Sequence, residues 1–369
     1  MKFPIPDNIE TLRAYVPGKP LAETKREYGL TEVDKLASNE NPLGPSPRAC
    51  AAIQAALGEL ALYPDASGYE LKRALAQQHG VSPREIVLGS GSNELIELCV
   101  RTFLGPGDDA LIARGSFIIY ELALAAAGRG ARAVPLRGWR YDLPAMARAI
   151  GAKTRLAFIA NPDNPAGSIV TADELAAFLG HVRAHFPALL VVMDEAYVDF
   201  VESPDYPDSL ELRRAHPNLV VLRTFSKSLG LAGLRVGYAI LDERLAGYLE
   251  RVRMPFNVSH PAQVAALAAL GDAEHLAATR AHNRAEKAFV LAGLSRLDVE
   301  VVPTQANFVL IDARRPAAPL VEALLRRGVI VRPLANYGMP TALRLSFGLR
   351  AQNERMLAAL ADVLAERPR

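Results

Sequence analysis

The stretch Leu219–Leu241, LVVLRTFSKSLGLAGLRVGYAIL, decides how this chain is read. It opens on one apolar run (Leu219–Arg223) and closes on another (Arg235–Leu241), and between them it breaks into hydroxyls and glycines around Lys227. Short apolar runs bounded by Gly- and Ser-rich segments mark buried strands. An ammonium is costly to desolvate, and most lysines lie on surfaces. Lys227 is instead followed by Leu229, Gly230, Leu231, Ala232, Gly233 and Leu234 before the next charge, Arg235. In partly apolar surroundings beside such a cation its pKa falls, leaving a neutral amine that attacks aldehydes. The bland alternative is a stem laid along apolar surface with the ammonium in water. That suffices for Lys2, Lys19, Lys25, Lys35, Lys72, Lys153 and Lys287, which sit in polar contexts.

Outward from this stretch the same rhythm repeats. The runs Glu85–Gly89, Ala110–Ala113, Arg132–Leu136, Arg155–Ala160 and Leu189–Met193 alternate with loops and amphipathic helices. This pattern predicts an α/β fold: a mostly parallel mixed sheet flanked by helices. After Arg251 the texture changes to Ala/Leu-rich helix, then to β-containing segments at Asn307–Asp312 and Val329–Gly348, and a last helix from about Asn353 to Glu366. The expected organisation is a large domain over 46–255 and a smaller α+β domain over 256–369, joined by the N-terminal segment 1–45.

Composition narrows the class. At 369 residues the chain exceeds one small core, and 50% hydrophobic with 22% charged residues suits a soluble enzyme. The net charge of +2 comes without a polybasic block, which argues against nucleic acid. No apolar run is long enough to span a bilayer, and the N-terminus lacks a signal-peptide core. Cys50 and Cys99 lie in apolar helical patterns and read as buried free thiols of a cytoplasmic protein.

Ligands in open parallel sheets bind beyond the carboxyl ends of strands, and four runs end in unusual chemistry. In VLGSGSNELIELC (Val87–Cys99), Gly89 and Gly91 permit a tight turn, and Ser92 and Asn93 open a helix whose free N–H groups suit an anion. Glu94 stands where the third glycine of a dinucleotide fingerprint belongs. In FIANPDNPAGSIV (Phe158–Val170), prolines pre-shape a loop presenting Asn164. LLVVMDEAYVDF (Leu189–Phe200) ends a strand on Asp194 and Glu195, carboxylates that need a cationic partner. That partner is a protonated ring nitrogen or, with Asp199, a metal; the spacing of His181 and His185 offers no metal motif. After Leu219–Arg223, Thr224 and Ser226 bring hydroxyls suited to a phosphate. Each motif alone also reads as a capped helix or an Asx turn. Their clustering carries the weight.

Glycine loop, Asn-Pro loop, Asp-x-x-Tyr and Ser-Lys with an arginine eight residues on, in that order, resemble fold type I pyridoxal-phosphate (PLP) aminotransferases. The finer resemblance is to histidinol-phosphate aminotransferases, through YVPGKP (15–20), SNENPLGPSP (38–47), YPD (63–65), GSGSNEL (89–95), NPDNPAG (161–167), DEAYVDF (194–200), TFSKSLGLAGLRVGY (224–238), QANFVL (305–310), GVIVRP (328–333) with YGMP (337–340), and LRLSFG (343–348). The resemblance spans about nine-tenths of the chain. It implies that Lys227 joins the PLP aldehyde and shuttles the substrate Cα proton. Asp194 pairs with the pyridine nitrogen, and Tyr197 and Asn164 bond the ring oxygen. Gly91, Ser92, Asn93, Thr224, Ser226 and Arg235 cradle the cofactor phosphate, with Phe117 stacked on the ring. Tyr63 reaches that phosphate from a second copy, so a homodimer with shared active sites is implied. Arg344 takes the substrate α-carboxylate; Tyr15 and Arg332 take a distal phosphate, with Asn39 nearby.

The reaction implied is transamination between L-histidinol phosphate and 2-oxoglutarate, a small-molecule amino donor and 2-oxo acid. Aromatic amino acid transamination and a phosphothreonine-type PLP decarboxylase are the alternatives. Asp163 and Ala166 depart from the family's more frequent asparagine and threonine. ARGSFIIY (113–120) lacks its usual proline, and Leu349 and Gln352 replace common threonine and glutamate beside the expected carboxylate site.

Overall fold

The computed structural model describes residues 3–12, 14 and 18–366. Seven strands make its main sheet: β1 (Ile86–Gly89), β2 (Asp109–Arg114), β3 (Gly130–Pro135), β4 (Thr154–Ala160), β5 (Leu190–Asp194), β6 (Leu219–Thr224) and β7 (Gly237–Ile240). Their spatial order is β1-β7-β6-β5-β4-β2-β3. The β6–β5–β4–β2–β3 ladder is parallel, while β7 runs antiparallel to both β1 and β6. The central strands are buried almost end to end, because helices cover both faces.

The exception at β7 has a local cause. A parallel return needs a crossover of a dozen or more residues, usually a helix. Between β6 and β7 the chain forms the Lys227 loop and a short 3-10 turn (Ala232–Leu234) but no crossover helix, and the next strand runs back. The expected strand Arg235–Leu241 starts later, at Gly237, because Arg235 takes a left-handed φ of 55°. The carboxyl ends of β1, β4, β5 and β6 therefore share one edge with the entry to β7, and the Lys227 loop lies along it.

A second, antiparallel sheet holds β8 (Glu300–Val301), β9 (Phe308–Asp312), β10 (Arg332–Pro333) and β11 (Ala342–Ser346) in the order β10-β11-β9-β8. Its core includes Val309, Ile311, Leu343, Leu345, Met356 and Leu360, and Leu36 of the N-terminal segment packs into it. Asp34–Lys35 pairs in parallel with Val329–Ile330, and Arg355 holds Asp34 through two bonds of 2.6 and 2.7 Å. VIVRP, one run in sequence, is thus split between two sheets. Helix His260–Leu270 lies beyond residue 255 yet packs on Leu71, Leu75, Leu88 and Tyr238 of the larger lobe; its Ala/Leu surface carries no stripe to tell which side it faces. Cys99 is buried, and burial pushes its thiol up to about 12. Cys50 is only half-buried, against expectation, because its helix turns Ala49 and Ala56 inward instead. Among the described residues no helix is long and apolar enough to cross a membrane.

Candidate active site

Against the shared strand edge lies a cavity of about 200 Å³, roofed by the N-terminal segment at Gly18, Ala37, Ser38 and Asn39. Lys227 forms its floor. Gly230, at φ +70°, lets the loop press on the N-terminal segment, for a Cβ there would meet Gly44 O at 2.2 Å. Lys227 Nζ donates to Ser38 O at 3.2 Å and lies 5.6 Å from the centre of the Tyr197 ring. Its remaining exposure is to the cavity it lines. Burial pushes the amine down to about 8, with Arg344 and Arg235 acting the same way and Glu40 and Asp194 opposing them.

Asp194 ends β5 in the same cavity. Its Oδ2 accepts from the Tyr120 hydroxyl at 3.0 Å, while Oδ1 is buried with no hydrogen-bond partner. Burial pushes this carboxyl up to about 6, aided by Glu195, while the Tyr120 bond, the nearby Ala196 N–H and Lys227 hold it down. A buried carboxylate oxygen left open is costly and calls for a donor from a ligand. Tyr120 is fixed by stacking on Phe158 at 4.8 Å and meets Phe117 edge-on at 5.5 Å.

One end of the cavity is built for an anion. Helix Ser92–Phe103 begins there behind Gly91, whose φ of +78° and tight packing exclude a side chain: a Cβ would lie 2.4 Å from Arg235 Nη2. Thr224 Oγ1 donates to Ser226 Oγ at 3.0 Å, and Arg235 Nη1 donates to the same oxygen at 3.3 Å. Ser92 and Asn93 complete the wall. Helix N–H groups, hydroxyls and a guanidinium converge as a phosphate would require.

At the other end, Arg344 Nη1 donates to Asn164 Oδ1 at 2.5 Å and Nη2 to Ala37 O at 2.7 Å, while Nε is buried without a partner. Arg332 faces Arg344 across β10 and β11 and also lines the cavity. Phe117 lines it too. Tyr63 does not: it is 82% exposed and stacks on Phe256 at 4.7 Å. Tyr15 lies outside the described residues.

The three carboxylates of the metal alternative each have a protein partner, Asp194 through Tyr120. Glu195 is engaged by Arg223 at 2.8 Å, and Asp199 by Arg280 at 2.9 Å and by the Ser228 hydroxyl. Among the described residues no three His, Cys, Asp or Glu side chains gather to hold an ion. Sequence reasoning missed Tyr120, Tyr337 and the Ala37 and Ser38 carbonyls. Tyr120 left a trace three residues beyond Phe117, and Tyr337 and Ser38 stand inside the quoted YGMP and SNENPLGPSP stretches.

The profile of the aminotransferase class I and II family matches residues 31–360. This chain belongs to that family. A histidinol-phosphate aminotransferase of Anaeromyxobacter sp. (strain Fw109-5) is 50% identical over 98% of this chain and 99% of its own length. Histidinol-phosphate aminotransferase 2 of Pseudomonas fluorescens (strain Pf-5) is 49% identical over 97% of the chain and 96% of its own. The crystal structure of histidinol-phosphate aminotransferase from Sinorhizobium meliloti in complex with PLP superposes with a TM-score of 0.88, at 28% identity, covering 98% and 97% of the two chains.

Two departures from the family pattern take on physical meaning. Asp163 is fully buried, accepts from Ser116 Oγ at 2.5 Å and from the Ala166 N–H at 3.1 Å, and is pushed up to about 7 by burial. Leu349 and Gln352, expected beside the carboxylate site, are not among the cavity residues. Gln352 Oε1 accepts from the Leu349 N–H at 2.8 Å and closes the start of the last helix.

Proposed function

We propose that this chain is a PLP-dependent aminotransferase that converts L-histidinol phosphate and 2-oxoglutarate to imidazole-acetol phosphate and glutamate. The observation that carries the chemistry is the presence in one cavity of Lys227, a half-buried amine with lowered proton affinity, and Asp194, whose buried Oδ1 has no hydrogen-bond partner. The donor assignment leans on relatives of that name at about half identity across nearly the full chain.

PLP, when bound, supplies an aldehyde for the amine and a ring that accepts the electron pair left at the substrate carbon. The protein's residues suit it. Asp194 Oδ1 would accept the ring N–H, held in place by the Tyr120 hydroxyl on its other oxygen. Tyr197 and Asn164 would bond the ring oxygen and Phe117 would stack on the ring. Gly91, Ser92, Asn93, Thr224, Ser226 and Arg235 would hold its phosphate. Lys227 would take up and return the substrate Cα proton, from a distance set by its own tether. Arg344 takes the α-carboxylate of glutamate, and Arg332, with Tyr15, the phosphate of the amino donor. Tyr63 would reach the cofactor phosphate from a second copy. Support for this dimer is the exposed apolar group Leu60, Leu62, Tyr63, Met254 and Phe256.

A panel of amino donors tests the assignment. Histidinol phosphate is expected to give the highest kcat/KM; faster turnover of phenylalanine or tyrosine would make this an aromatic aminotransferase. Carbon dioxide release without a keto product would make it a decarboxylase. Two further outcomes follow from the geometry. Arg344→Lys keeps charge but loses the planar fork, stranding Asn164 Oδ1 or Ala37 O. Its kcat/KM should fall about 30- to 5,000-fold, the equivalent of about 2–5 kcal/mol for a truncated buried charge pair. PLP uptake by the apo-protein needs an unprotonated Lys227. Below its pKa the neutral fraction grows tenfold per pH unit, so the uptake rate should climb up to about pH 8 and level off above it. Stopped-flow absorbance reads this directly, and a flat profile contradicts it.

A further inference from the structure

Asn39 sits in the buried seam between the N-terminal segment and β11, with a left-handed φ of 53°. A non-glycine residue keeps that conformation where its surroundings impose it. Four hydrogen bonds do so. The Asn39 N–H donates to Ser346 Oγ at 2.9 Å, and the Ser346 hydroxyl donates to Asn39 Oδ1 at 2.7 Å. Asn307 Nδ2 donates to the Asn39 carbonyl at 3.1 Å, and Asn39 Nδ2 donates to the Tyr197 hydroxyl at 3.0 Å. Asn39, Ser346 and Tyr197 are all at most 4% exposed, so water does not compete.

The polarity of this chain follows from the donor inventory. A backbone N–H can only donate, so it occupies a lone pair of Ser346, whose single proton then goes to Asn39 Oδ1. The amide NH₂ is thereby turned toward Tyr197, and the Tyr197 oxygen accepts from it. The phenolic proton is left free to point into the cavity, on the side of Lys227. With the amide reversed, Oδ1 would face Tyr197 and capture that proton.

We infer that Ser346 and Asn39 are positioning residues that aim the Tyr197 hydroxyl proton into the cofactor cavity by fixing the polarity of the Asn39 amide. The inference rests on the PLP reading above and gives Asn39, a residue of the cavity roof, a role exerted through Tyr197. A proton aimed at the cofactor's ring oxygen stabilises that oxygen as an anion and lowers the proton affinity of the Lys227 nitrogen conjugated with it. Ser346 lies two residues beyond Arg344 on β11, so one strand carries both the substrate grip and this setting.

The test is the pH midpoint of the visible absorbance change of the holoenzyme. In Ser346→Ala the amide is free to reverse, and the midpoint should rise by about one to two units, the span of a hydrogen bond to a charged oxygen. The double variant Ser346→Ala/Asn39→Gly has no amide to capture the proton; glycine suits the positive φ, and the midpoint should return to within a few tenths of wild type. Arg344, Asp194, Tyr337 and Lys227, the charged and titratable groups around Tyr197, are untouched by these changes. Should Ser346→Ala not hold PLP, Ser346→Cys replaces it: a thiol is a weak donor, so the amide is again released and the midpoint rises without any change of charge. A midpoint equal to wild type in Ser346→Ala or in its replacement, with only a lower melting temperature, overturns the inference. A wild-type chain with no pH-dependent band overturns it together with the PLP reading.

Discussion

Lys227→Ala is expected to lower kcat by at least about four orders of magnitude while leaving the fold intact. General acid–base transfer by a positioned group contributes about 10²–10⁴, and the tether that holds it beside the reacting carbon adds to that. The variant loses both. The structural cost is small: the amine makes a single hydrogen bond, to Ser38 O, and truncation removes a desolvated cation from the cavity floor. Borohydride treatment of the wild-type holoprotein should leave a reduced adduct on the peptide carrying Lys227. The alanine variant should bind PLP and yield none. An adduct on any other lysine, or turnover within tenfold of wild type, would remove Lys227 from the chemistry.

Asp194→Asn is the second large effect. The shapes match and the Tyr120 bond to the outer oxygen is kept, so the fold should hold. The charge is what disappears. Asp194 Oδ1 is buried without a donor, and a protonated ring nitrogen would complete it. An amide cannot hold that proton. Breaking a buried ion pair costs about 3–5 kcal/mol, so kcat should fall about 150- to 5,000-fold, and PLP should bind more weakly. Steady-state rates at saturating PLP separate the two effects. An unchanged kcat would mean that Asp194 does not face the ring nitrogen.

Much of this site was legible before any coordinates because its chemistry needs unusual residues in unusual places. A carboxylate closing an apolar strand, as Asp194 does, and a lysine amid leucines and glycines, as at 227, conflict with burial rules strongly enough to mark themselves. Supporting residues give no such signal. Tyr120 is an ordinary aromatic on an amphipathic helix, and only the stacking on Phe158 shows why its hydroxyl reaches Asp194. Ser346 and Asn39 lie 307 residues apart and become partners only when β11 and the N-terminal segment meet. Leu349 and Gln352 show the reverse error: proximity in sequence to Arg344 suggested a place at the site, but the strand ends at Ser346 and the next turn carries both away to cap a helix.

By itself, the order of residues determined the alternation of strands and helices, and it singled out the amine, the carboxylate and the glycine loop that the fold gathers around one cavity at the strand ends. These follow from local rules: hydrophobic period, the backbone freedom of glycine and proline, and the cost of taking a charge out of water. Tertiary structure alone decided that β7 runs backward, that VIVRP divides between two sheets, and that Arg332 and Arg344 stand side by side. It alone set which side-chain oxygens lack a donor. Those are matters of which distant segments touch, and contact between segments hundreds of residues apart leaves no mark in either one.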